Sequence, residues 1–222
     1  MELKELYPVW KELTPRQQAL LEQNTVRRRA RKGERMHTGA EGCEGLYIVT
    51  EGVLRVSTLS EEGGREITLY RLYERDICLF TASCVLSGLQ FEPQVQAQTD
   101  AEVLVVSAPA YKALMRESLP AAAYTNRLMA SRFSEVMARL EQILHGRLDA
   151  RLAAALLEEA QVQQADRLSL THEQLAGSIG SAREAVTRML HEFQSRGLVR
   201  LSRGEVQLTG TEDLRELAGP GW

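Results

Sequence analysis

Two helix-start signatures stand ten residues apart in the last third of the chain, Thr171 with Gln174 and Ser181 with Glu184. Each fits the S/T-x-x-E/Q capping box, in which a hydroxyl satisfies a free N–H of the first helical turn and the acid or amide reaches back to the cap. Starts this close allow one short helix before the next begins. Residues 171–197 are therefore expected to form two helices around a tight turn, with Gly177 and Gly180 in the connection. Leu175, Ala176, Ile179, Val186 and Met189 supply the apolar and small residues that such a pair needs where its helices cross.

The rest of the second helix is polar in a particular way. At about 100° per residue, Arg183, Glu184, Thr187 and Arg188 gather on one face, opposite Val186, Met189, Leu190 and Phe193. A guanidinium can bond guanine O6 and N7 together, and a carboxylate can accept from cytosine N4, so this face carries the chemistry of a major-groove reader. Glu184 has a second reading as the partner of Ser181 in the cap, and arginines on an exposed face are often only solvated. Downstream, "LVRLSRGEVQLT" reads as two short strands turning at Arg203 and Gly204, a wing that places Arg200 or Arg203 near phosphates. Thr171 and Ser181, at the two helix starts, complete the candidate contacts.

Charge makes this local pattern necessary for any polyanion binding. The 222-residue chain has a formal net charge of −3, so the protein as a whole does not attract nucleic acid. From Ser181 to Gly204, however, Arg183, Arg188, Arg196, Arg200 and Arg203 outnumber Glu184 and Glu192. No apolar run approaches the roughly 20 residues that span a bilayer, and "MELKELYPVW" lacks the basic-then-apolar layout of a secretory signal, so a cytoplasmic protein without a membrane segment is expected. Cys43, Cys78 and Cys84 are too few for a disulfide framework or a four-ligand zinc site. No G-x-S-x-G, P-loop, H-E-x-x-H or paired-carboxylate pattern occurs, and His37, His145, His172 and His191 have no ligand spacing. An enzyme is not expected.

Upstream the chain changes periodicity twice. Thr14 and Pro15 open a short helix through Leu21. Then "LYIVTEGVLRVSTLSEEGGREITLYRLYERDICLF" gives short β-branched runs broken by glycines, which suits a sandwich, jelly roll or barrel. The basic run Arg27, Arg28, Arg29, Arg31 and Lys32 is read as preceding a strand, either as an anion or partner patch or as a solvated edge that resists aggregation. After about residue 108 the pattern is helical: Pro109 to Met115, then a long helix from near Pro120. Along it Ala122, Asn126, Met129, Phe133, Val136, Leu140 and Ile143 keep a 4-3 spacing. That stripe suits a parallel homodimer seam, with Asn126 as the polar residue fixing register, or a core helix packed on its own β domain. Met137 and Leu144 widen it enough for both. A helix capped by Asp149 is expected to run to Ala160, and the chain to close on the hairpin.

Taken together, "LYIVTEGVLRV", "EEGGREITLYRL", "DARLAAALL" and above all "THEQLAGSIGSAREAVTRML" resemble the CRP/FNR family of bacterial transcription regulators over nearly the whole chain. The resemblance implies an α+β protein with three parts. Residues 1–118 would be an N-terminal double-stranded β-helix, or jelly roll, that senses an effector; 119–146 a long dimerisation helix; and 147–222 a C-terminal winged helix-turn-helix. Arg183, Glu184 and Arg188 match the R-E-x-x-x-R pattern with which similar members read TGTGA-like half-sites. A homodimer on palindromic double-stranded DNA, working with RNA polymerase, is thereby implied.

The effector is where the chain departs from that pattern. Cyclic-nucleotide binders of the family carry a Gly-Glu pair and a downstream Arg-Ser or Arg-Thr for the phosphate, whereas no arginine stands between Asp76 and Asp100 here. A buried phosphate would lack its charge-assisted partner, so cyclic AMP is not expected. Iron-sulfur relatives use an amino-terminal cysteine group, and no cysteine precedes Cys43, so that cluster is not expected either. His37 beside Met36, and His145, are of the right type for haem ligation, but lone histidines are more often ordinary surface or core residues. What remains is an apolar effector pocket drawn from Cys78, Leu79, Phe80, Thr81, Ser83, Cys84 and Val85, with Leu86, for an unidentified small molecule. Cys78 and Cys84 are read either as a redox pair or as inert buried thiols. The alternatives are a regulator controlled only by its abundance, or a non-catalytic ligand-binding or interaction module.

Overall fold

The computed structural model describes residues 1–38, 44–59, 66–79 and 93–219. The chain folds as two compact units, Met1–Thr58 with Leu69–Val136, and Leu59–Thr68 with Met137–Trp222. The strands β1 (Thr25–Ala30), β8 (Ala101–Ser107), β3 (Gly45–Glu51) and β6 (Ile77–Cys78) form one sheet in that order, and β2 (Arg35–Thr38), β7 (Gln94–Ala97), β4 (Leu54–Leu59) and β5 (Glu66–Leu72) form another. Ahead of them come α1 (Leu3–Leu6), a 3₁₀ turn at Trp10–Glu12 and α2 (Pro15–Gln23), which starts as expected with Thr14 as its cap and Pro15 in its first turn. After them come α3 (Ala108–Glu117) and α4 (Leu119–His145).

The central strands read as unbroken apolar runs because their sheet is covered on both faces. On β3, Leu46 and Ile48 join a cluster with Leu3, Leu6, Leu21, Tyr111 and Leu114 of the helices. Tyr47 and Val49, one residue out of phase, join Met36, Leu54, Val56, Leu72 and Val95 in the interior of the roll. On β8, Leu104 and Val106 alternate with Val103 and Val105 in the same way. At ~1.5–3 kcal/mol for each fully buried Leu, Ile or Val, this double coverage anchors the roll.

Arg27, Arg28 and Arg29 of the basic run lie within β1, at the edge of its sheet, and Arg31 and Lys32 follow it, ahead of β2. The three arginines on β1 are not merely solvated. Arg27 and Arg29 both bond Glu102, the latter at 2.8 Å, and Arg28 bonds Glu44 at 2.7 Å. The Arg29 and Arg27 bonds hold the Glu102 carboxyl down to about 2.

On α4 the apolar stripe divides by side. Ala121 and Thr125 are buried, Leu128 and Met129 pack on the helical cluster, and Val136 packs on the roll interior. The Thr125 hydroxyl lies 2.6 Å from that of Tyr111. Arg132 occupies the same buried side. It is accommodated there by Asp76 at 3.0 Å, Glu135 at 2.8 Å and the Tyr70 ring, 5.1 Å from its guanidinium carbon. Asn126 is exposed, and so are Phe133 (67%), Met137 (45%), Leu140 (43%) and Leu144 (65%), which follow one another at a 4-3-4 spacing.

The second unit is a helical bundle with a small sheet. It contains α5 (Leu148–Gln163), β9 (Arg167–Ser169), α6 (His172–Ile179), α7 (Arg183–Ser195), β10 (Val199–Ser202), β11 (Glu205–Leu208) and α8 (Thr211–Ala218). Its core joins Leu152, Leu156, Leu175, Ile179, Val186, Leu190, Phe193, Leu198, Val206 and Leu214. Three expectations are corrected here. Arg147, not Asp149, stands at the start of α5; Asp149 instead takes the Ala150 N–H and pairs with Arg147. Gly177 lies inside α6, not in the connection. The chain does not end on the hairpin, because α8 follows and buries Leu214.

Candidate nucleic-acid interface

Thr171 caps α6 as expected, accepting from Gln174 N at 3.2 Å while the Gln174 side-chain carbonyl takes the Thr171 N–H at 2.7 Å. The helix ends at Gly180 with φ of +62°, a left-handed conformation that costs glycine nothing and other residues about 1–2 kcal/mol. A Cβ there would also meet Ile143 of α4 at 3.2 Å. The left-handed turn thus favours glycine, and the approach of the Ile143 side chain leaves little room for a Cβ.

The second capping box does not form. α7 starts at Arg183, with Ala182 in the cap position and no side-chain hydrogen bond to the helix. Ser181 sits one residue too early, half-buried in the turn, so Glu184 is not used as its partner. Val186, Leu190 and Phe193 bury one side of α7, and Met189 packs beside them. The other side presents Arg183, Glu184 and Arg188, exposed and without a hydrogen-bond or ion-pair partner among the described residues. Thr187 is half-buried, and its hydroxyl lies 2.9 Å from Nδ1 of His172.

The wing is a two-residue hairpin in which Ser202 pairs with Glu205, leaving Arg203 and Gly204 at the tip. Gly204, the second of the two, has φ of +75°, a left-handed value that glycine adopts at no steric cost. β9 flanks β11 on its other side. Arg200 and Arg203 are exposed and likewise unpaired among the described residues, whereas Arg196 is within 4.0 Å of Glu192. Arg196 apart, the arginines of this stretch therefore have no acceptor among the described residues.

Two arginines that the sequence patterns pass over tie this motif to the end of α4. Arg151 of α5 donates through Nη1 to the carbonyls of Ile143 (3.2 Å) and Ile179 (2.9 Å), the C-terminal turns of α4 and α6. Arg139 of α4 donates to the Ser178 carbonyl at 3.1 Å and pairs with Glu158 at 3.5 Å. A guanidinium suits this place because helix C-termini carry unsatisfied carbonyls and a partial negative charge. The orientation of the turn before α7 is thus fixed against the last turns of α4. A cation inside the apolar face of α5, next to Leu152 and Ala155, was the available signal for Arg151.

Of the expected effector pocket, Cys78 and Leu79 are buried on opposite sides of their sheet. Cys78 lies in the interior cluster and Leu79 in the helical one, so of the two only Cys78 faces the roll. Phe80, Thr81, Ser83, Cys84, Val85 and Leu86, and Cys43 with them, lie outside the described residues. No arginine lies between Asp76 and Asp100 in the sequence, and Arg71 on β5 donates to the Gln98 side-chain carbonyl at 2.9 Å. His37 is buried on β2, and His145 is exposed at the end of α4. Among the described residues no group of three metal-ligating side chains occurs, and no helix is long and apolar enough to cross a membrane.

Residues 150–217 match the Crp-like helix-turn-helix domain, and residues 27–118 match the cyclic nucleotide-binding domain. The cyclic AMP receptor protein of Thermus thermophilus is 31% identical over 176 residues, 79% of this chain and 80% of that protein. The chain belongs to the CRP/FNR family. Its relatives include the transcriptional regulator SdrP of Thermus thermophilus, 29% identical over 178 residues, which cover 78% of this chain and 83% of that one. A CRP/FNR transcriptional regulator from Eubacterium rectale superposes with a TM-score of 0.93 at 43% identity, covering 96% of this chain and 99% of the other. The protein is a transcriptional regulator of the CRP/FNR type with a DNA-binding helix-turn-helix, a class without enzymes among the relatives named.

Proposed function

We propose that this CRP/FNR regulator acts as a homodimer on a near-palindromic operator, with α7 of each copy in a major groove. Arg183 and Arg188 read guanines of TGTGA-like half-sites, Glu184 accepts from cytosine, and Arg200 and Arg203 of the wing hold phosphates. Thr171 and Ser181 flank this face at the two helix starts. The observation that carries the reading is the row of Arg183, Glu184 and Arg188, exposed and unpaired among the described residues, on a helix whose opposite side is buried. Unpaired side chains keep their donors and acceptors for base edges.

The dimer rests on the exposed face of α4. Phe133, Met137, Leu140 and Leu144 keep heptad spacing and stay exposed in their own chain, and a second copy of the same helix is the partner that such a stripe fits. Two-fold pairing would set the recognition helices about 34 Å apart, one turn of DNA. Residues 1–118 then form the sensing domain, 119–146 the dimer helix and 147–222 the DNA-binding domain. Cys78, buried in the roll interior, marks the place for a small-molecule or redox effector other than cyclic AMP, and RNA polymerase is the partner at the promoter.

The test is binding of a palindromic TGTGA duplex against a scrambled duplex across a salt series, with and without reductant. Preference for the palindrome, with affinity falling linearly in log salt, supports the reading; equal affinity for both duplexes at every salt rejects it. Phe133→Asp with Leu140→Asp is expected to give monomers by sedimentation and to abolish palindrome preference.

A further inference from the structure

Thr187 lies between Arg183 and Arg188 on α7, yet its hydroxyl is engaged. It shares a 2.9 Å hydrogen bond with Nδ1 of His172, the first residue of α6. A neutral imidazole can accept the Thr187 proton or donate its own, whereas an imidazolium can only donate. Protonation therefore commits Thr187 to accept from the ring and leaves its own hydrogen free for an acceptor outside, while adding a positive charge beside the reading face.

The surroundings oppose that charge in the free protein. Partial burial lowers the pKa of His172, and His191 and Arg183, both on α7, lower it further. Glu173, the adjacent acid on α6, is exposed. A DNA phosphate arriving at this face brings the opposite sign, and an anion close to an imidazole favours its charged form.

Resting on the DNA-binding reading above, we propose that His172 is a positioning residue whose protonation is coupled to operator binding through Thr187. The ring takes up a proton on binding in the pH window between its pKa values in the free protein and in the complex. Affinity is greatest below the lower value and declines as pH rises through the higher one. Each unit of separation is worth about tenfold in Kd.

The experiment is fluorescence anisotropy with the TGTGA palindrome and its scrambled control, from about pH 6 to about pH 8 at fixed salt, on the unmodified protein, His172→Gln and His191→Gln. Palindrome affinity is expected to tighten about three- to tenfold toward the acid side in the unmodified protein and in His191→Gln. It is expected to stay flat in His172→Gln, which bonds without titrating. An unchanged pH response in His172→Gln, or a response lost in His191→Gln instead, overturns the role of His172 and leaves the DNA reading standing. No preference for the palindrome at any pH overturns the DNA reading and this inference with it.

Discussion

On β1, Arg27 and Arg29 converge on Glu102 and Arg28 is bonded to Glu44, whereas on α7 and the wing Arg183, Arg188, Arg200 and Arg203 have no acceptor among the described residues. Both groups are dense in arginine and both lie at a surface. In the sequence they look alike, and the first has the denser run. What separates them is what stands opposite. β8 brings Glu102 directly across from Arg29 in the antiparallel register, so the positive edge is matched by the sheet that it closes. On α7, Glu184 shares the face of Arg183 and Arg188, and the cap that would have engaged it does not form. An arginine with a partner contributes to the fold, and one without is available to a ligand.

The largest effect is expected where that contrast is greatest. Arg183→Ala with Arg188→Ala should reduce palindrome binding to the scrambled-duplex level, while Arg27→Ala with Arg29→Ala should leave the preference intact. Competition binding of the two double variants checks this, and a preference lost in the β1 variant would dissolve the distinction. Next comes Arg151→Ala, which removes the guanidinium that bridges the carbonyls of Ile143 and Ile179. It should weaken palindrome binding and blunt the preference for one half-site spacing, measured on duplexes with lengthened or shortened centres. Binding to scrambled duplex should hold. Arg203→Ala should lower affinity for all sequences alike and reduce the log-log salt slope by about 1, the signature of one phosphate contact.

The smallest effect concerns the paired group, and it is on stability. Glu102 is held down to about 2 by Arg29 and Arg27, below an ordinary carboxyl, so its contribution is present above the unfolded value and lost as pH falls through the folded one. Denaturant midpoints measured from about pH 5 to about pH 2 should fall for the unmodified protein and fall less steeply for Glu102→Gln. Equal slopes would show that the pairing on β1 is incidental.

Much of the architecture was legible because local rules and tertiary structure agree. The Thr171–Gln174 box, the Thr14–Pro15 start and the turn at Arg203–Gly204 are set by residues within four positions of each other, and all three are found. Ser181–Glu184 matches the same pattern and fails, because the left-handed Gly180 and the packing of Ile143 beneath it fix where the chain can begin α7, one residue later. The heptad on α4 was visible as one stripe, but sequence spacing could not say which residues the roll would claim. Met129 and Val136 pack inward while Phe133 and Leu140 stay exposed. Arg151 bonds two backbone carbonyls and His172 a hydroxyl, all on other helices, and such bonds leave no spacing to read. α8 was missed because a two-turn helix with one fully buried residue, Leu214, has little periodicity.

The most direct measurement is the base preference of Arg188→Ala, position by position, along a half-site. Relative affinities of the unmodified protein and the variant are taken for palindromes carrying each of the four base pairs at every position. The unmodified protein should discriminate at the position facing Arg188 by ~1–3 kcal/mol, and the variant should accept all four pairs there while keeping its choices elsewhere. A variant whose profile keeps the same discrimination at every position, merely weaker overall, would mean that this face of α7 does not read bases.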